Sequence, residues 1–387
     1  MTDSSLAPSA DEPLALVLSG GGARGAFQVG VWDVIRDDPR GLRRSPDVLS
    51  GTSAGSINAY LIAAGLSPSR MLAFWLDLAR LPPVKANDAF FSALSVALRN
   101  LAVREPIRSL SRRMRDFRIL GALVRKHRIS RPSGIEAAIV EFVMTARFDD
   151  VSRVLERITT AYLFDTTPLR ERLVAATGVP DLRNTRQRIA INTIDVQTGS
   201  VVRIVNHRPE KALRASVKHY RYEPVITPDM ILASASIPLL FNPVKVGEQL
   251  LWDGGLLVNT PMAPAVALGA KRIVPVLVTP HPSANGDLPT FGHAVERLAD
   301  AFLENAYSAD RKLLLDRNAL AQRSGDPELR VVKLFRAIRP GSSRTFDAAS
   351  YLYFEETALK AMFEAGRQAA RAWLSAGPPV DGREQDS

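Results

Sequence analysis

Two glycine-rich turns, each lying between a short apolar run and a stretch with helical spacing, restrict this chain more than any other feature. The first follows Leu14 to Leu18 and reads Ser19-Gly20-Gly21-Gly22-Ala23-Arg24-Gly25; Phe27, Val31, Val34 and Ile35 then share one helical face. The second begins after the short run from Asp47 and reads Gly51-Thr52-Ser53-Ala54-Gly55, with Ile57, Tyr60, Leu61 and Ile62 behind it. A strand, a turn and a helix, repeated at once, predict two parallel strands side by side with both turns at one carboxyl edge. The expected class is therefore α/β with a mostly parallel sheet.

Each turn has a chemical reading. Gly51-x-Ser53-x-Gly55 is the G-x-S-x-G pattern, in which a serine on a sharp strand-to-helix turn needs small neighbours on both sides. The hydroxyl of Ser53 would stand at the tip of that turn, near a helix N-terminus that favours a developing oxyanion. A Gly/Ser turn that merely caps the helix fits the same residues. The first turn satisfies G-x-G-x-x-G through Gly20, Gly22 and Gly25, with Asp47 at about the distance of a ribose-binding acid. That acid should end the second strand, whereas Asp47 begins one. The other reading sets the N–H groups of Gly20, Gly21 and Gly22 opposite Ser53 as an oxyanion hole, with Arg24 adding positive charge or closing the loop by a salt bridge.

At 387 residues and 46% hydrophobic content, the chain can bury the core of one large domain or two ordinary ones. With no cysteine there are no disulfides and no thiolate sites, which suits a reducing cytosol. Residues 1–12 read as a polar leader and 377–387 as a frayed tail, and no apolar run approaches the roughly 20 residues of a membrane span. A net charge of +10 favours anionic partners, nucleic acid or an acidic membrane surface. Much of it falls between Asn87 and Gly134, where Arg99, Arg104, Arg108, Arg112, Arg113, Arg115 and others alternate with apolar residues at helical intervals. Such a basic helical insertion, at about 85–160, serves as a cap over the core, as a contact to an anionic membrane, or as both. Nucleic-acid binding is not expected, because the segment lacks interleaved aromatics and any recognisable module.

Farther along, Leu66 to Leu81 predicts a helix, Phe164 to Leu173 a helix start with Thr167 before Pro168, and Arg188–Ile194 with Val201–Val205 a hairpin. Met230 to Ala235 predicts a small-residue helix. Val244–Val246 and Gln249–Trp252 form a second hairpin that delivers Asp253-Gly254-Gly255 at a strand end. Val258 to Pro261 begins another helix, Arg272 to Val278 is a buried strand, and 281–376 is a mostly helical extension with one strand candidate, Arg330 to Phe335.

GGGARG at 20–25, GTSAG at 51–55 and Asp253-Gly254-Gly255, the last preceded by ASASIP at 233–238, stand in the order and approximate spacing that resembles the patatin-like phospholipases. The likeness is good over about 14–80 and 160–280. It implies a three-layer α/β/α catalytic domain over 13–280, a fatty-acyl ester of a phospholipid or other glycerolipid as substrate, and a Ser53/Asp253 dyad that needs no histidine; no cofactor is expected, and no His/Asp/Glu set has metal-ligand spacing.

Read from the residues alone, the base stays open. A Ser-Asp-His order would add His281 or His293 to Ser53 and Asp253, and Asp253 before two glycines is also an ordinary turn residue. A carboxylate is a weak base for an alcohol unless desolvation raises its pKa and an oxyanion hole lowers the cost of ionising the serine. A membrane-binding scaffold without hydrolysis is the reading from another class.

Overall fold

An unbroken apolar run such as Leu14–Leu18 has to be covered on both faces, and β1, which it forms, is buried along its whole length. The computed structural model describes residues 12–37, 45–80, 84–92, 162–210, 219–280, 291–324, 329–341, 346, 351, 354–377 and 380. In chain order the elements are β1 (Leu14–Leu18), α1 (Gly25–Ile35), β2 (Val48–Thr52), α2 (Ala54–Ala63), α3 (Pro68–Arg80), β3 (Lys85–Ala86), β4 (Tyr162–Asp165), α4 (Thr167–Thr177), β5 (Arg188–Asp195), β6 (Val201–Val205) and β7 (Tyr220–Tyr222). They continue with α5 (Pro228–Ala235), β8 (Leu239–Phe241), β9 (Val244–Val246), β10 (Gln249–Asp253), α6 (Met262–Ala267), β11 (Arg272–Val276), α7 (Phe291–Ser324), β12 (Lys333–Leu334) and α8 (Glu356–Ser375). Residues 1–85 with 166–387 form one compact unit and 86–165 a second. Within the second, the Asn87 carboxamide donates to the Tyr162 carbonyl at 2.9 Å and the Phe91 ring packs against Phe164. The basic stretch after residue 92 lies outside the described residues, as do His281 and nearly all of the leader and the tail.

The main sheet runs β12-β11-β1-β2-β5-β10-β9, with β6 and β7 branching from β5. From β12 to β5 every pair is parallel, while β10 and β6 join β5 antiparallel. The mostly parallel α/β reading holds. Strand periodicity builds the layers: Leu14, Leu16 and Leu18 enter one core with Phe27, Tyr60, Trp75 and Met362, whereas Ala15 and Val17 enter another with Met262, Tyr307 and Leu314. Helices α1, α2, α3 and α8 thus cover one face of the sheet, and α6 and α7 the other.

β5 decides where the turns meet. Its residues 188–192 pair with β2, Thr52 facing Asn192; one step further, Thr193 faces Asp253 of β10. One strand therefore holds the end of the serine strand and the end of the aspartate strand on adjacent residues. Several elements differ from expectation at their ends. The helix expected from Val258 starts only at Met262, because Val258 and Pro261 give their carbonyls to Thr52 and Ser50 at 2.9 and 2.8 Å. The strand expected over 330–335 shortens to Lys333–Leu334, where it pairs with β11 at the sheet edge. Thr166, not Thr167, stands at the N-cap position of α4, held by the Asn242 carboxamide oxygen at 2.8 Å.

Candidate active site

Ser53 joins β2 to α2 at φ 53° and ψ −123°, a left-handed backbone that a residue with a β-carbon enters only under strain. The glycines on either side are required by contact. A β-carbon on Gly51 would lie 2.5 Å from the Gly55 backbone, and one on Gly55 would lie 2.1 Å from the Leu18 carbonyl. The first turn of α2 therefore rests directly on the ends of β1 and β2, and the serine is lifted above them.

Ser234, on α5, pins this turn. Its hydroxyl donates to the Asn192 carbonyl at 2.7 Å, accepts the Ser53 N–H at 3.0 Å and lies 2.8 Å from the Ser56 hydroxyl. Since the single Ser234 proton goes to Asn192, Ser56 is the donor in the last contact. The Asn192 carboxamide also donates to the Gly51 carbonyl at 3.0 Å.

Asp253 ends β10 with 4% of its surface exposed, and it lines one cavity together with Ser53, whose hydroxyl draws its pKa down. Its Oδ1 accepts the Gly255 N–H at 2.7 Å. Burial is the main influence and pushes its pKa from the ordinary 3.8 up to about 7; the bonds from Ser53 and Gly255 pull the other way. A β-carbon on Gly254 would stand 2.8 Å from the Asn192 backbone, so only glycine lets the chain turn there against β5. Among the described residues the partners of Asp253 are Ser53 and backbone, and no described histidine side chain joins them.

The glycine turn lies against the same serine, where a β-carbon on Gly20 would come within 3.2 Å of the Ser53 β-carbon. Its parts differ in availability. The Gly20 N–H donates to the Asn259 carbonyl at 3.2 Å, so Gly20 is engaged and is not an oxyanion donor. The N–H groups of Gly21 and Gly22 have no backbone acceptor among the described residues. Arg24, expected to add charge at the hole, is fully buried and turned to other partners. It donates to Asp300 at 3.1 Å and to the Phe346 carbonyl at 2.6 Å, and its guanidinium lies 3.7 Å from the centre of the Tyr351 ring. Its work is to tie the loop to the C-terminal part of the chain, the salt-bridge alternative. The dinucleotide reading fails on Asp47, whose carboxylate accepts the Leu14 N–H at 3.0 Å at the start of β1, the edge opposite the glycine turns.

Two cavities meet at Ser53 and Gly22. One, of about 140 Å³, is lined by Gly20, Gly21, Asp253, Gly255, Asn259 and Tyr351 among others. The second, about 50 Å³ and apolar, runs between Ile57, Trp75, Leu78, Leu169, Phe241 and Phe354. An ester carbonyl in the first has room for its hydrocarbon in the second. Leu256, on the wall of the first cavity, is an exposed large apolar side chain at 67%.

Sequence reasoning missed Ser234, Asn192 and Asn259 as parts of the site. Ser234 lies in the ASASIP stretch, but nothing local marks a serine that will bond a turn 181 positions away.

The patatin family, described as patatin-like phospholipase, matches residues 16–266. No curated protein sequence matches the chain. Among solved structures, VipD from Legionella pneumophila is 14% identical with a TM-score of 0.37, over 95% of this chain and 68% of that one. The heterodimeric ExoU–SpcU complex of the Pseudomonas aeruginosa type III secretion system is 18% identical with a TM-score of 0.24, over 95% of this chain and 62% of that one. With three glycine turns gathered at one sheet edge and the family's pattern matched across 16–266, this chain belongs to the patatin-like phospholipases.

Proposed function

We propose that the protein is a lipid acyl hydrolase that cleaves fatty-acyl esters of phospholipids or other glycerolipids through Ser53 and Asp253. The observation that carries the reading is the placement of Ser53 and the buried Asp253 carboxyl on the wall of one cavity, where a polar space joins an apolar one. A base works best when its pKa lies near the working pH, and a carboxyl raised to about 7 is a far better acceptor for the serine proton than an ordinary aspartate.

In the first half-reaction the Ser53 oxygen attacks the ester carbonyl carbon while its proton passes to Asp253. The carbonyl oxygen, now negative, takes the N–H groups of Gly21 and Gly22, each good donor contributing on the order of 3 kcal/mol. Collapse breaks the bond to the alcohol oxygen, which leaves with the proton from Asp253 and frees a lysolipid or alcohol. In the second half-reaction Asp253 takes a proton from water, the hydroxide attacks the acyl-Ser53 carbonyl, and the Ser53 oxygen recovers the proton as the fatty acid departs.

The test is turnover of a fluorogenic acyl ester by wild type, Ser53→Ala and Asp253→Asn, with labelling by an alkyl fluorophosphonate. Loss of turnover in both variants and loss of labelling in Ser53→Ala are expected. Equal turnover in Ser53→Ala and wild type would overturn the assignment of Ser53 as the nucleophile.

A further inference from the structure

On the sheet face away from α1 and α2 lies a cavity of about 270 Å³, larger than the one at Ser53 and sharing no residue with it. Most of its wall is hydrocarbon from α6 and α7, including Met262, Val266 and Leu314. Into this wall the fold sets charges at positions that strand and helix periodicity reserve for the core. Arg203 lies on β6 on the same face as Val205, which packs in the core beneath α6 and α7. Asp310 and Arg317 lie on the α7 stripe that otherwise buries Tyr307, Leu314 and Ala321.

Partly buried cations in such positions are costly unless something pairs them, and only Asp310 on the same wall offsets the charge of Arg203. The Nε atoms of Arg203 and Arg317 are both buried and have no hydrogen-bond partner. Arg203 rests over the Tyr220 ring at 5.3 Å, with its Nε–H left unmatched. Two guanidinium groups and one carboxylate line the space, so it carries a positive excess. Burial raises the Asp310 pKa to about 6, against the pull of Arg203, and protonation there would enlarge that excess.

We propose that this cavity binds an anionic amphiphile with a single acyl chain, its carboxylate or phosphate head on Arg203 and Arg317 and its chain along Met262, Val266 and Leu314. Fatty acids and lysophospholipids carry that chemistry alike. The inference does not depend on hydrolysis, because binding is read without turnover.

The experiment is titration calorimetry on the full chain carrying Ser53→Ala, with decanoate, decyl phosphate, decanol and inorganic phosphate as probes. Expected is one-to-one binding of decanoate or decyl phosphate, the tighter of the two naming the head group, with decanol and inorganic phosphate each at least tenfold weaker. Arg203→Gln with Arg317→Gln should weaken the preferred probe at least tenfold. Ala263→Trp, at an exposed position on the cavity wall, should do the same with both arginines retained, which keeps the test valid if the double variant fails to fold. Decanol binding as tightly as decanoate overturns the anion site, and inorganic phosphate binding as tightly overturns the acyl site. Unchanged affinity in Ala263→Trp, or in a folded double variant, overturns the proposal.

Discussion

Replacing Asp253 by Asn separates the burden of a buried carboxylate from its use. The pKa rises from 3.8 in the unfolded chain to about 7 in the native one, so the folded protein holds this proton more tightly. Stability from this group is therefore fully present below about pH 4 and is lost as pH climbs toward 7; above that the loss is constant. Three pKa units at about 1.4 kcal/mol each make the ionised carboxylate cost about 4 kcal/mol. Asn is nearly the same shape, keeps an oxygen for Ser53 and Gly255, and never ionises. Urea unfolding of wild type and Asp253→Asn at pH 4.5, 6 and 8 should show the variant gaining relative to wild type by about 4 kcal/mol at the highest pH and by about 1 kcal/mol at the lowest. The same titration governs turnover: kcat/KM of wild type on a short-chain ester should rise with pH to a half-maximum near 7. A half-maximum near pH 4, or a variant no more stable than wild type at pH 8, would refute the view that burial tunes this aspartate.

Ser234→Ala leaves the Ser53 N–H and Ser56 hydroxyl without their buried partner, and should lower stability by about 1–3 kcal/mol and reduce kcat, checked by urea unfolding and ester turnover. Gly22→Ala places a methyl group 2.0 Å from the Tyr351 carbonyl on a backbone at φ 55°; turnover should fall at least tenfold, whereas Gly65→Ala, also at positive φ but open to solvent, should cost stability alone. Arg24→Met removes a fully buried cation from Asp300 and two carbonyls, and should destabilise the fold by about 3 kcal/mol in a denaturant melt.

The parallel α/β class and the strained serine turn were legible because their causes are local. A glycine on each side of Ser53 is a demand of the turn itself, and the alternation of Leu14 to Leu18 between two cores follows from strand geometry. The approach of Asp253 to Ser53 was legible only through the family's motif order, because the register that sets it belongs to β5, some 60 residues before the aspartate. Arg24 shows what escapes altogether. Its neighbours in sequence present it as a charge beside a glycine loop, but Asp300 and Phe346 lie roughly 300 positions away and claim it. Gly20 was over-assigned for the same reason, since the carbonyl that occupies its N–H comes from Asn259.

Because β5 grips the two partner strands at neighbouring rungs, the spacing of Ser53 and Asp253 is a property of backbone pairing, indifferent to how much polypeptide loops out in between. The segment that follows α3 lies between β2 and β5 in the chain, outside the pairing that sets this spacing.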